Sequence, residues 1–162
     1  MLFSRTSQYA AQALIYLATQ RRDRFVLTRE IAAHLDIPSD YLGKIMGTMS
    51  RASLLTSVRG RKGGYALNEG AENTDMLQLL LLMEGSKYTQ DCFLGLKTCG
   101  DETACPMHGE WKPIKERIVA LLREQNVGAL ADGVKRGDYR LADLPLRVAE
   151  LRGLPRRGRR RD

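Results

Sequence analysis

Histidine, tryptophan and cysteine are all scarce: two, one and three residues in a chain of 162. Three cysteines are an odd number, and no secretory segment leads the chain, so a disulfide framework is not expected. No two cysteines stand at the C-x2-C spacing of a zinc finger. Long apolar runs are missing as well. The longest apolar stretch, Met76 to Met83, falls far short of the roughly 20 residues that a membrane-spanning helix needs. The opening, Met1 to Thr6, passes straight into an amphipathic pattern and lacks the layout of a signal peptide. The expectation is a soluble chain in a reducing, cytoplasmic setting, with no membrane partner. No nucleophile–base pair and no nucleotide-binding loop is visible, which argues against an enzyme.

What cysteine there is lies in one place. Cys92, Cys99, Cys105 and His108 follow the pattern C-x6-C-x5-C-x2-H. Such soft and borderline donors on short polar spacers can fold around one metal centre. Thiolates select zinc, copper(I) or iron–sulfur clusters over magnesium and calcium. Imidazole can replace thiolate on one iron of a two-iron cluster. On the residues alone four readings stay open: small buried cysteines, a disulfide, a Cys3His zinc site and an iron–sulfur cluster.

Charge is unevenly spread. The net charge is +7, of which +5 belongs to residues 151–162. That tail reads as a disordered basic arm, adding either phosphate contacts or solubility. A hydrophobic content of 43% is ordinary for a globular chain. The length suits one domain with an appendage, or two small units sharing a core.

Apolar residues at Ala10, Ala13, Leu14 and Leu17 predict a helix over 4–20, capped by Ser4 or Thr6. Arg21, Arg22 and Arg24 then suit its C-terminal end. Thr28 is expected to cap a short helix, 29–35, which Asp36-Ile37-Pro38 ends. A second helix, 39–52, is expected to bury Tyr41, Leu42, Ile45, Met46 and Met49. Two helices on so tight a turn make a helix-turn-helix, whose second helix enters a major groove. Residues 54–58 and 65–67 predict a β-hairpin around Arg59-Gly60-Arg61-Lys62-Gly63-Gly64. Three cations at its tip repel one another unless phosphate is present, and an Arg on a thin hairpin can reach a minor groove. Together these make a winged helix that reads double-stranded DNA. The candidate contacts are Thr28, Ser39, Asp40, Tyr41, Lys44, Arg51, Arg59, Arg61 and Lys62.

A Leu-rich helix follows, 74–84, with Thr74 as its cap, apolar nearly all round and so expected to be buried. A long helix, 106–125, places Trp111, Ile114, Ile118 and Leu121 in the a/d rhythm of a paired helix. Pro113 should kink it or make it start near Lys112. Symmetric DNA readers usually dimerise, and this stripe is the candidate homodimer face. A last short helix is expected over 129–134.

These pieces resemble the IscR/NsrR-type (Rrf-two) family of bacterial winged-helix transcriptional regulators. The likeness is carried by Ser7-Gln-Tyr-Ala-Ala, by Glu30 to Pro38, by Tyr41-Leu42, by the wing Val58 to Tyr65, by Glu84-Gly85 and by the cysteine loop. It covers residues 1 to about 135. The resemblance implies a homodimer with crossing long helices, a recognition helix in the major groove and a wing Arg in the minor groove. It further implies an iron–sulfur cluster held by Cys92, Cys99 and Cys105, with His108 matching the fourth ligand of [2Fe-2S] members. The nitric-oxide-sensing branch holds a [4Fe-4S] cluster with an Asp near the N-terminus, where this chain has Gln8. Two departures stand out. The Cys92–Cys99 spacer is one residue longer than the family's, and Gly43 replaces a Glu of the recognition helix.

The fold expected is mainly α with a small β-hairpin: a winged helix-turn-helix plus a long dimerisation helix. Residues 1–84 form the DNA-binding domain with its linking helix, 85–108 the cluster loop, 109–136 the dimerisation region and 137–162 the flexible basic tail. The function expected is a transcriptional regulator sensing redox, iron–sulfur or nitric oxide status through its cluster. The competing reading is a cluster-free regulator whose cysteines sense oxidants.

Overall fold

The computed structural model describes residues 3–60, 63–85, 92–97 and 100–141. Six helices and one two-stranded antiparallel sheet make the winged-helix architecture expected from the sequence. Arg61, Lys62, Cys99 and the tail beyond 141 lie outside the described residues.

Helix α1, Arg5–Thr19, starts where the Ser7 amide donates to Ser4 Oγ at 3.2 Å. Its stripe of Ala10, Ala13, Leu14 and Leu17 is buried. The three arginines past its end make surface ion pairs instead of a helix-end cap: Arg21 with Asp23, Arg22 with Glu72 and Arg24 with Glu30. Helix α2, Thr28–Leu35, differs at its start. Leu27 occupies the cap position, no side chain caps the helix, and Thr28 is its first residue. Asp36 takes the left-handed conformation at φ 55°. The Ile37 amide then donates back to the Ala32 carbonyl at 3.0 Å, which closes α2.

Helix α3, Ser39–Arg51, buries Leu42, Ile45, Met46 and Met49 as expected, but not Tyr41. Tyr41 is 39% exposed, because it points along the rim of α1, sharing a hydrogen bond with Thr6 Oγ1 and an edge-on contact with Tyr9. Strands β1, Leu55–Val58, and β2, Gly64–Leu67, pair Leu55 with Leu67 through Val58 with Gly64. Val26 adds a one-residue third strand, exchanging 2.9 and 2.8 Å hydrogen bonds with Tyr65.

Helix α4, Met76–Glu84, begins two residues later than expected. Thr74 is not its cap: Asp75 and Gln78 form a reciprocal capping box, with bonds of 2.7 and 3.1 Å. Such a box satisfies two otherwise orphaned amides. Leu77, Leu79 and Leu80 are buried against α1 and helix α5, His108–Glu124. Pro113 lies inside α5, so the helix does not begin near Lys112. Helix α6, Val127–Arg136, is capped by Asn126, longer than expected, and returns to pack Ala131 and Val134 on Ile15 of α1. The core is thus built around α1, which touches every other helix except α5 among the principal packings.

Candidate DNA interface and metal centre

Among the described residues the candidate DNA contacts fall on α3 and the hairpin, with Thr28 on α2. Ser39, Asp40, Lys44 and Arg51 are exposed on α3, and Arg59 is exposed at the hairpin tip. Thr28 is half-buried in the first turn of α2. Arg51 is braced by its own helix: its guanidinium donates to Thr48 Oγ1 at 3.0 Å, and Thr48 donates to the Lys44 carbonyl at 3.2 Å. Thr48 was not singled out by sequence, although its i, i+3 spacing to Arg51 was readable there.

Two glycines set the hairpin. A Cβ on Gly63 would stand 2.1 Å from the Val58 carbonyl oxygen. Gly64 has φ +128°, and a Cβ there would stand 2.3 Å from the Val26 oxygen. The Gly63-Gly64 pair is therefore demanded by the close approach of three backbones.

Helix α1 links this face to the cysteine loop. Glu84, the last residue of α4, accepts from the Ser7 hydroxyl and from the Ser4 amide. Those two serines hold its carboxyl below the ordinary carboxylate range. One residue beyond Ser4 and Arg5, Thr6 reaches Tyr41 on α3. His34 is half-buried and lies against Tyr16, with ring centroids 4.6 Å apart and tilted by 39°. Burial holds it below the usual imidazole value.

In the loop, the Cys92 and Cys105 sulfurs converge to 3.6 Å, too far for a disulfide bond. Two thiolates on one tetrahedral metal, at metal–sulfur distances of about 2.3 Å, stand about 3.8 Å apart. The pair therefore fits a thiolate-bound metal or cluster. The His108 amide donates to the Cys105 carbonyl at 2.9 Å, so the Cys105 thiol and the His108 imidazole belong to one turn leading into α5. His108 is the buried residue of that helix. Its Nε2 stands 3.0 Å from Asp101 Oδ1. Lys112 Nζ lies 2.8 Å from both oxygens of Asp101. Lys112 and His108 together lower the Asp101 carboxyl, and Asp101 in turn raises Lys112. Phe93 stacks against Trp111 at 5.5 Å, closing the loop over the helix. Among the described residues no three His, Cys, Asp or Glu side chains stand together as a metal-binding group. Asp101 and Lys112 were not named as site residues from the sequence. The i, i+4 spacing of His108 and Lys112 was a signal for the second; no periodicity could have found the first.

On the proposed pairing stripe, Trp111 and Ile118 are half-buried, while Ile114 and Leu121 are 53% and 55% exposed.

Comparison with known proteins gives consistent results. The family model described as Rrf2, iron-dependent transcriptional regulator, matches residues 3–133. A candidate HTH-type transcriptional regulator of Aquifex aeolicus is 32% identical over 120 residues, 73% of this chain and 83% of its own. The HTH-type transcriptional regulator IscR of Photobacterium profundum is 27% identical, over 80% of this chain and 75% of its own. Among solved structures, Staphylococcus aureus CymR aligns with a TM-score of 0.63 at 25% identity, covering 80% of this chain and 97% of its own. T. potens IscR aligns with a TM-score of 0.66 at 22% identity, covering 85% and 90%.

Proposed function

The chain belongs to the Rrf2 family of transcriptional regulators, and on that footing we propose that it is a DNA-binding homodimer whose cysteine loop holds an iron–sulfur cluster as its sensor. Cys92, Cys99 and Cys105 would supply thiolates and His108 the imidazole of a [2Fe-2S] site. The observation that carries this reading is the 3.6 Å approach of the Cys92 and Cys105 sulfurs, with Cys105 one turn before His108 in the chain and bonded to its amide. When bound, a cluster supplies one-electron redox chemistry whose potential follows its ligands and solvent access.

The chain's own residues account for the coupling. The loop leaves α4 at Gly85 and re-enters at His108, so ligation ties the ends of α4 and α5 together. Glu84 holds the end of α4 on the start of α1, and Thr6 joins that start to Tyr41 on α3. A change of order in the loop thus reaches the recognition helix through two hydrogen-bonded contacts. Coupling of about 1–3 kcal/mol changes operator affinity roughly 5–150-fold. In this reading residues 1–84 read DNA, 85–108 sense and 109–136 pair the protomers. Ser39, Asp40, Tyr41, Lys44 and Arg51 face the major groove, Arg59 the minor groove and Thr28 the backbone.

A second reading is favoured by the same sulfur pair and by the solved oxidised form of S. aureus CymR, 25% identical to this chain. In it Cys92 and Cys105 lose two electrons and two protons to a peroxide-class oxidant and form a disulfide. Anaerobic purification separates the two. Visible absorption with stoichiometric iron and sulfide, abolished in a still-folded Cys99→Ala protein, is expected. A chain that stays colourless after anaerobic reconstitution and gains a disulfide with peroxide would establish the second reading instead.

A further inference from the structure

We propose that Asp101 is the positioning carboxylate of the metal centre: it accepts the Nε2 proton of His108 and so makes Nδ1 the ligating nitrogen. This rests on the cluster reading and names the residue that orients its weakest-specified ligand. An ionised carboxylate can only accept a hydrogen bond. The ring nitrogen 3.0 Å from Asp101 Oδ1 must therefore carry a proton. Imidazole binds metal in its neutral form, which assigns the lone pair for the metal to Nδ1. A carboxylate on the far nitrogen is the usual way a ligating histidine is held in one tautomer and one orientation.

Both partners are fixed by local structure. Asp101 opens a 3-10 turn in which the Thr103 amide donates to the Gly100 carbonyl at 3.1 Å. His108 is fixed in the first turn of α5 by the hydrogen bond its amide donates to the Cys105 carbonyl. Lys112, one helical turn beyond His108, grips both Asp101 oxygens at 2.8 Å. The Asp101 side chain is 73% exposed whereas that of His108 is 10% exposed. An exposed ion pair contributes little to folding, so removing Asp101 should spare the fold and act on the imidazole.

The test uses the full chain reconstituted anaerobically with ferrous iron and sulfide, in five forms: wild type, Asp101→Ala, Asp101→Asn, His108→Cys and the Asp101→Ala, His108→Cys double variant. Iron retention against a competing chelator and the visible spectrum are recorded. Asp101→Ala should form a cluster with a shifted spectrum and release iron at roughly 10–100-fold lower chelator concentration, the usual cost of losing such a partner. Asp101→Asn, whose carbonyl still accepts from Nε2, should recover most of that retention. In the His108→Cys background, Asp101→Ala should change nothing, since no imidazole remains to orient. Retention in Asp101→Ala equal to wild type overturns the inference and leaves the cluster reading intact. An equal loss in the His108→Cys background overturns it too, because Asp101 would then act on the loop and not through His108. A wild-type chain that takes up no cluster overturns both.

Discussion

Glu84 shows how one side chain can matter at a junction. Its carboxylate gathers the Ser7 hydroxyl and the Ser4 amide, and so pins the end of α4 to the start of α1. The native carboxyl is held below its unfolded value. Its contribution is therefore fully present above the unfolded carboxylate range and is lost as pH falls through the depressed native value. Glu84→Gln keeps an acceptor but removes the charge. We expect it to lower stability at neutral pH by about 1 kcal/mol or less, since the site is exposed. Urea titrations of both proteins at stepped pH should show the gap closing in acid; a gap that persists or widens there would refute the linkage. Gly64 is constrained differently. Its φ of +128° and the 2.3 Å clash awaiting any Cβ leave no other residue possible beside Val26.

At the level of elements, the hairpin and α3 stand together because β1 follows α3 after three residues and packs on it, with the Leu54 amide donating to the Met49 carbonyl at 3.0 Å, while Val26 anchors β2 at Tyr65. The hairpin exposes Arg59 without an internal purpose for it. Arg59→Ala should weaken operator binding at least tenfold, about 1.4 kcal/mol, and lower the salt dependence by about one unit if a phosphate contact is lost. The cluster spectrum should not change. Fluorescence anisotropy across a salt series measures both, and unaltered affinity would remove Arg59 from the interface. Pro113 is the sixth residue of α5, on its exposed side, so the helix forgoes the hydrogen bond that an amide there would donate to the Gly109 carbonyl.

For the whole molecule, the telling feature is what α5 leaves open. Its seventeen residues extend about 25 Å, yet Ile114 and Leu121 face solvent in the single chain. Apolar residues repeating on one face of a long helix usually find a partner. Ile114→Asp with Leu121→Asp should convert the protein to a monomer by sedimentation velocity and abolish high-affinity binding to a two-fold operator. A doubly substituted protein that remains dimeric would locate the pairing surface elsewhere. No described helix is long and apolar enough to cross a membrane.

Much of this was legible in the chain itself. Periodicity found all six helices to within two residues at each end, as well as the hairpin, because a buried stripe and a turn glycine leave local marks. The cysteine spacing likewise marked the loop as a candidate soft-metal site. The misplacements have local rivals as their cause: Asp75 outcompeted Thr74 as a cap because Gln78 could answer it, and Tyr41 was drawn to the α1 rim by Thr6 and Tyr9. Other features depend on residues far apart in the chain and carry no periodic signature. Those are the Val26 strand, the Glu84 junction and the return of α6 to α1. Sequence alone determined which residues are apolar at helical spacing and which can bind metal. Only the tertiary structure decided that two sulfurs meet at 3.6 Å and that Asp101 stands behind His108, because such pairings follow from how the helices pack and not from the order of residues along them.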